Sequence, residues 1–240
     1  MPPDDISKNL VNVVSHINQL ADQSGRSADD ITLIAVSKTR TVDEVRQAIE
    51  AGQKDFGENT IQDAMTKIIP LQGSQAEWHF IGHLQSKKAR HIPGNFHWVH
   101  SIDSLKLAQK LSNAMINADV DSSLNCLIQV NVSAEQSKSG LQSSEVIPFI
   151  DGLLKMELPR ISWRGLMTIG VQGDMIKTRA TFAALRELLD QCRGEFGLER
   201  FDQLSMGMSN DYPVAVEEGA TLVRVGTAIF GSRKKQKRVR

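Results

Sequence analysis

The feature that most constrains the fold of this chain is a repeated switch of hydrophobic period. Short apolar runs alternate with longer stretches in which apolar residues recur every three to four positions. The first run, ITLIAV at residues 31–36, is almost unbroken, as expected of a parallel strand covered on both faces. A helical pattern comes next over residues 41–51, with Gly52 as its C-terminal cap. Further strands are expected at residues 54–57, 78–81, 97–101, 124–132, 161–167, 201–204 and 222–225. Helices are expected at residues 60–69, 84–91, 103–118, 143–154, 175–196 and 214–218, and an extra one at 5–21 precedes the first strand. Eight strands alternating with helices predict parallel βαβ units. In a chain of 240 residues they favour the α/β class and a single closed (β/α)8 TIM barrel over an open doubly wound sheet.

Charge narrows the function classes. Basic and acidic side chains balance at 28 each, but six of the basic ones fall in residues 233–240, RKKQKRVR. The remaining body carries 22 basic against 28 acidic residues, a net of −6. Such a body argues against wrapping a phosphate backbone, so nucleic acid is not the expected partner. Residues 1–232 are expected to form one domain, with 233–240 a disordered basic tail. The tail is a separate candidate for weak, salt-dependent binding of RNA or a membrane surface. Cys126 and Cys192 lie far apart without metal or disulfide spacing, which fits a reducing compartment. No secretory leader and no apolar run of spanning length are expected, so the default location is cytoplasmic.

Barrels of this kind place their chemistry where strands end at the C-terminal face. Lys38 lies just past the first strand. An amine with its stem against apolar walls loses part of its hydration and becomes nucleophilic toward aldehydes; alternatively it is a solvated lysine opening a loop. Gly57, Glu58 and Asn59 come after the second strand, where glycine permits a tight turn and Asn59 offers a donor and an acceptor. His79 and His83 flank the end of the third strand. No carboxylate or thiolate completes a set with them, so no metal is expected and His83 is read as lining the mouth. His97 and His100 are read as structural. Lys138 comes after the fifth strand in a segment read as a solvated loop.

The segment LSMGMSND after the seventh strand is small and polar, with Ser209 or Asp211 as the N-cap of the next helix and Pro213 in its early turn. Strand alternation in the eighth run places Val223 and Val225 on one face and Leu222 and Arg224 on the other. Arg224 must therefore find a partner or the open mouth. Gly226 and Thr227 then offer bare backbone and a hydroxyl. Phosphate sites of this fold form from the loops after the seventh and eighth strands. A lysine after the first strand, a phosphate cup at the last two and an arginine between them describe a site for a phosphorylated aldehyde, for which pyridoxal 5′-phosphate (PLP) is the candidate.

With these residues in place, the sequence resembles the YggS/PROSC type of PLP-binding protein, the pyridoxal phosphate homeostasis family. The resemblance runs from about residue 31 to 231. It is carried by AVSKT (35–39), FGEN (56–59), WHFIGHLQ (78–85), KSG (138–140), RGLMTI (164–169), LSMGMSND (204–211) and VRVGTAIFG (223–231). It implies a monomeric barrel similar to the alanine racemase N-terminal domain and a Schiff base at Lys38. It further implies that Ser209, Gly226 and Thr227 hold the phosphate, that Arg224 faces the pyridine nitrogen, and that Asn59 lies near the ring. The implied role is PLP storage and delivery, with transient contact to apo PLP enzymes. Some members carry proline where this chain has His83, and the basic tail has no clear counterpart. An arginine at the pyridine nitrogen disfavours the protonated ring and weakens carbanion stabilisation, so a carrier is expected rather than an enzyme. The alternative is a PLP-dependent amino-acid racemase, for which Tyr212 is the chain's single tyrosine.

Overall fold

The computed structural model describes residues 5–118 and 120–232. The tail expected at residues 233–240 lies outside the described residues. Eight strands form a closed barrel in sequence order: β1 (Thr32–Val36), β2 (Asp55–Glu58), β3 (Glu77–Phe80), β4 (Trp98–Ile102), β5 (Leu124–Gln129), β6 (Ile161–Met167), β7 (Gln203–Met208) and β8 (Leu222–Val225). All pairings are parallel, and β8 closes the ring against β1 with Ile34 opposite Arg224 and Ala35 opposite Val225. The expected (β/α)8 barrel is the observed one.

The helices are α1 (Ile6–Gln23), α2 (Val42–Glu50), α3 (Ile61–Ile68), α4 (Leu105–Asn117), α5 (Val146–Lys155), α6 (Met175–Phe196), α7 (Tyr212–Glu217) and α8 (Thr227–Phe230). Local chemistry supplies partners for the first amides of several of them. Thr41 and Glu44 form a capping box at α2, and Thr60, Ser104 and Asp174 cap α3, α4 and α6 through their side chains. Gly197 closes α6 in the left-handed conformation. In α1, Ile6, Leu10, Val13, Ile17, Leu20 and Ala21 form the buried stripe. Each large side chain among them contributes about 1.5–3 kcal/mol on leaving water.

Some element boundaries depart from expectation. Residues 84–91 do not make an α-helix; Ser86–His91 is a 3-10 turn. The turn carries Lys87, Lys88, Arg90 and His91 and has only Ala89 buried, so no apolar stripe favours a longer helix. The seventh strand, expected at 201–204, lies at Gln203–Met208, because its small residues Ser205 and Gly207 hide the strand pattern. The fifth strand ends at Gln129, not at residue 132.

Side chains alternate across the barrel wall. Leu33, Ala35, Phe56, Phe80, Val99, Cys126, Ile128, Val223 and Val225 pack outward in the large core shared with the helices. Ile34, Leu127, Met167 and Leu222 form a separate small cluster, with Trp98 against it. Leu222 thus faces inward while Val223 and Val225 face outward, as the alternation predicts. The wall tightens at Gly165, whose φ of +148° lies at a register shift between β5 and β6. A Cβ there would approach the Gln203 carbonyl oxygen to 1.9 Å. Gly165→Ala is expected to destabilise the fold by at least about 2 kcal/mol, read as a lowered urea midpoint without a change in slope.

Candidate functional site

Register sets out the mouth of the barrel. The Ser37 amide, just past β1, donates to the Gly57 carbonyl at 3.0 Å, so Lys38 comes next beside the end of β2. On the other side, Gly226 sits against β1: a Cβ there would lie 3.3 Å from the Val36 carbonyl oxygen. Met208 at the end of β7 is opposite Arg224. Lys38, partly buried, therefore stands between the β2 end carrying Asn59 and the β8 loop carrying Gly226 and Thr227. Ser209 joins them, its Oγ accepting from the Gly226 amide at 3.1 Å. The structure thus brings together Lys38, Asn59, Ser209, Gly226 and Thr227 around one opening, with Arg224 inside it.

The cap of α7 is resolved in favour of Asp211, although its carboxylate accepts from the Met208 amide and not from the helix. Gly57 lies within β2 and makes no turn; its place against the Ile34 and Ile81 side chains, both 3.0 Å from a built Cβ, explains the glycine. Gly82 carries the close approach at this rim, since a Cβ there would fall 2.0 Å from the Asn59 carbonyl oxygen. Asn59 is thereby held in place while its Oδ1 is buried without a hydrogen-bond partner. A buried, unpartnered amide oxygen at the mouth is the orphan that a polar small molecule would satisfy.

Lys138 does not stand in solvent as its segment suggests. Its ammonium lies 2.6 Å from Glu135 Oε1 and donates to the Gly170 carbonyl at 3.0 Å, which ties the β5 loop to the β6 loop. His83 is exposed on its loop. Among the described residues, no group of three His, Cys, Asp or Glu side chains is placed to hold a metal ion.

Arg224 is buried and meets its charge with two partners. It donates to Ser205 Oγ and, through Nη2, to the Thr168 carbonyl at 2.9 Å. Burial draws its pKa down to about 10, with Asp211 opposing, so it stays charged at neutral pH. Behind it runs a line of inward polar groups. His100 Nδ1 lies 2.8 Å from Ser205 Oγ, His100 Nε2 lies 3.0 Å from His79 Nδ1, and His79 Nε2 lies 3.0 Å from Asp55 Oδ1 at the opposite rim. Burial holds both imidazoles below their ordinary range, and His100 well below it. His79 also stacks on Trp98 with centroids 5.5 Å apart. The reading of His100 as structural fits this placement; the reading of His79 beside His83 does not anticipate it.

A second cluster escapes the sequence reading. Glu58, at the end of β2, is fully buried, with Oε1 2.6 Å from Ser37 Oγ and 2.7 Å from the ammonium of Lys67 on α3. Lys67 is fully buried too. Its signal is legible: Ile61, Ala64, Lys67 and Ile68 form the buried face of α3, so this lysine occupies a core position.

Burial pushes the Glu58 carboxyl from its ordinary 4.5 up to about 7, against the pull of Lys67 and the hydrogen bond from Ser37. A carboxyl that holds its proton more tightly folded than unfolded stabilises the fold at low pH. That contribution is complete below about 4.5 and is lost as pH rises through about 7. Unfolding free energies measured across this interval are expected to show a component that declines with rising pH and disappears in Glu58→Gln.

Fold and site together define a class: parallel barrels of the type described as "Alanine racemase, N-terminal domain", a family model that matches residues 9–234. Within that class, this chain belongs to the pyridoxal phosphate homeostasis protein family. It is 45% identical over 229 residues to the pyridoxal phosphate homeostasis protein of Pseudomonas aeruginosa, covering 95% of this chain and 96% of that protein. To the protein of the same name from Escherichia coli K12 it is 41% identical over 239 residues, covering 98% and 99%. The solved structure of PipY from Synechococcus elongatus with PLP bound has a TM-score of 0.78 at 35% identity, covering 90% of this chain and all of that one. An alanine racemase from Clostridium difficile has a TM-score of 0.72 at 16% identity; this chain covers 58% of it, and the likeness is one of fold.

Proposed function

We propose that this protein binds PLP as a Schiff base on Lys38 and serves in PLP homeostasis, holding the cofactor and delivering it to apo PLP enzymes without robust catalysis of its own. The observation that carries this reading is the β1–β8 register. It sets a lysine from the first strand beside a hydroxyl- and amide-lined cup from the last two. Related proteins bearing the homeostasis name and the PLP-bound PipY structure support it. The residues present fit the cofactor: the Asn59 amide oxygen is buried and unpartnered, and Gly226 leaves bare backbone beside Ser209 and Thr227.

In this reading PLP supplies an aldehyde that condenses reversibly with a primary amine, releasing water. The protein's residues supply the rest. Lys38 presents the amine from a partly buried position. The Ser209 hydroxyl, positioned by the Gly226 amide, and the Thr227 hydroxyl hold the phosphate, and Gly226 leaves room for its approach. Arg224 faces the pyridine nitrogen as a fixed donor that remains charged, and Asn59 lies near the ring.

Carrier behaviour draws on Tyr212. A two-base racemase commonly needs a tyrosine at the mouth. The single tyrosine here has its hydroxyl 2.6 Å from His16 Nδ1 and is buried between α7 and α1. It is spoken for by packing. We take residues 1–232 as the working unit, acting as a cytoplasmic monomer. Among the described residues no helix is long and apolar enough to cross a membrane.

Borohydride reduction of the PLP-loaded protein followed by peptide mapping is expected to mark Lys38; a mark elsewhere removes the assignment. Ser209→Ala and Thr227→Val are each expected to weaken PLP binding roughly tenfold or more, the worth of one hydrogen bond to a charged group. Racemisation of small amino acids is expected not to exceed that of free PLP. An excess that vanishes in Lys38→Ala would restore the racemase reading.

A further inference from the structure

Beneath Lys38 lies a second lysine that the proposed function does not use. Lys67 Nζ, fully buried, touches three acceptors: Glu58 Oε1 at 2.7 Å, Asp63 Oδ2 at 3.0 Å and the Ser37 carbonyl at 2.9 Å. Each leads back to the backbone that flanks Lys38. Besides its backbone bonds to Gly57 and Arg40, Ser37 is tied to this cluster twice, by its carbonyl on Lys67 and by its hydroxyl donating to Glu58 at 2.6 Å. Thr39 is held once, its amide donating to Asp63 Oδ2 at 2.7 Å. Thr39 has a φ of +65°, the left-handed region that a β-branched residue rarely adopts. Such a conformation costs on the order of 1–3 kcal/mol and persists only where its surroundings impose it. Here a turn closed by the Arg40 amide on the Ser37 carbonyl at 3.0 Å imposes it together with the Asp63 carboxylate, itself bound to Lys67.

Stability alone is a poor reason for this arrangement. A buried ion pair is often matched or bettered by apolar residues of the same volume. Glu58 also leaves its second oxygen, Oε2, buried without a partner, which a purely stabilising network would avoid. What the cluster does achieve is geometric: one cation fixes the residue before Lys38 and the residue after it.

We propose that Lys67 is the positioning residue for the Lys38 amine, acting through Glu58 and Ser37 on one side and Asp63 and Thr39 on the other, so that Lys38 is aimed into the mouth before any ligand arrives. This rests on Lys38 being the amine that meets PLP. Pre-organisation of this kind removes an ordering cost that the ligand would otherwise meet. The covalent step is unchanged by it: the C=N bond forms as the C=O bond breaks, and the oxygen leaves as water.

The test separates position from stability. Lys67→Met alone leaves Glu58 buried without its cation and is expected to destabilise the fold. The double variant Lys67→Met/Glu58→Gln removes both charges, so its melting temperature is expected to return close to that of the parent. Two properties of Lys38 are then read. One is PLP binding followed by absorbance and borohydride mapping. The other, on protein free of PLP, is the rate and pH profile of Lys38 acetylation by acetic anhydride, followed by mass spectrometry. The double variant is expected to bind PLP at least tenfold more weakly and to show a displaced acetylation profile at Lys38, while an exposed control lysine, Lys155, is unaffected. A stable double variant with parental PLP binding and a parental Lys38 profile overturns the proposal.

Asp63→Ala, at a partly exposed position, releases the Thr39 side and leaves Lys67 its bonds to Glu58 and the Ser37 carbonyl. It is expected to weaken PLP binding about threefold with little change in melting temperature, and parental binding in this variant also counts against the proposal. Should borohydride mark another lysine in the parent, the PLP assignment fails by itself, and the acetylation profiles in PLP-free protein still decide whether Lys67 positions Lys38.

Discussion

The structure depends on one pairing between strands from opposite ends of the chain. β1 and β8 meet in parallel with Ile34 opposite Arg224, and this closes the ring. It also sets Lys38, two residues past β1, beside Gly226 and Thr227, just past β8. A slip of one residue would turn every inward side chain outward. Leu222 would leave the inner cluster and Arg224 would enter the layer of helices without a partner. The packing of Val223 and Val225 outside and Leu222 inside holds the register against that slip. The juxtaposition proposed as the site is thus a consequence of barrel closure.

Buried charge is handled in two ways, and the difference comes from geometry. Arg224 is satisfied by neutral oxygens, Ser205 Oγ and the Thr168 carbonyl. Its planar fork suits two acceptors at fixed angles. Lys67 is a point charge with three donors, and it meets two carboxylates and a carbonyl. Both cations lie just beneath the mouth, one under each side of it.

Much of the fold is legible in the sequence because strand and helix periods differ so clearly. Residues 161–167, 175–196 and 222–225 carry strong patterns, and their observed bounds coincide with expectation. The misses have physical causes. β7 carries the small residues Ser205 and Gly207, so its period is hidden. The segment at 84–91 is rich in cations and has no apolar stripe, so a 3-10 turn forms instead. Within the candidate site, Lys38, Asn59, Ser209, Arg224, Gly226 and Thr227 stand out because each lies at or just past the C-terminal end of a strand. Position along the strands does not reveal Lys67, which arrives from a helix. Nor does it reveal the line from His100 to Asp55, which crosses the barrel interior. An inward polar residue at alternate strand positions, or a lysine on the apolar face of a helix, is the signal that finds them.

The inward polar line has a consequence for protons. An arginine has only hydrogens to give, so Ser205 must accept from it and offer its own single hydrogen to His100 Nδ1. His100 then carries its hydrogen on Nε2 and passes it toward His79 Nδ1, and His79 in turn points its Nε2 hydrogen at the Asp55 carboxylate. Only this tautomer of each ring satisfies every contact. The interior is therefore a dipole of fixed sense, with its cationic end under the mouth and its anionic end at the far rim. Reversing it would require every member to change at once. Of these groups only Arg224 has further hydrogens to offer, and it has no acceptor to take one.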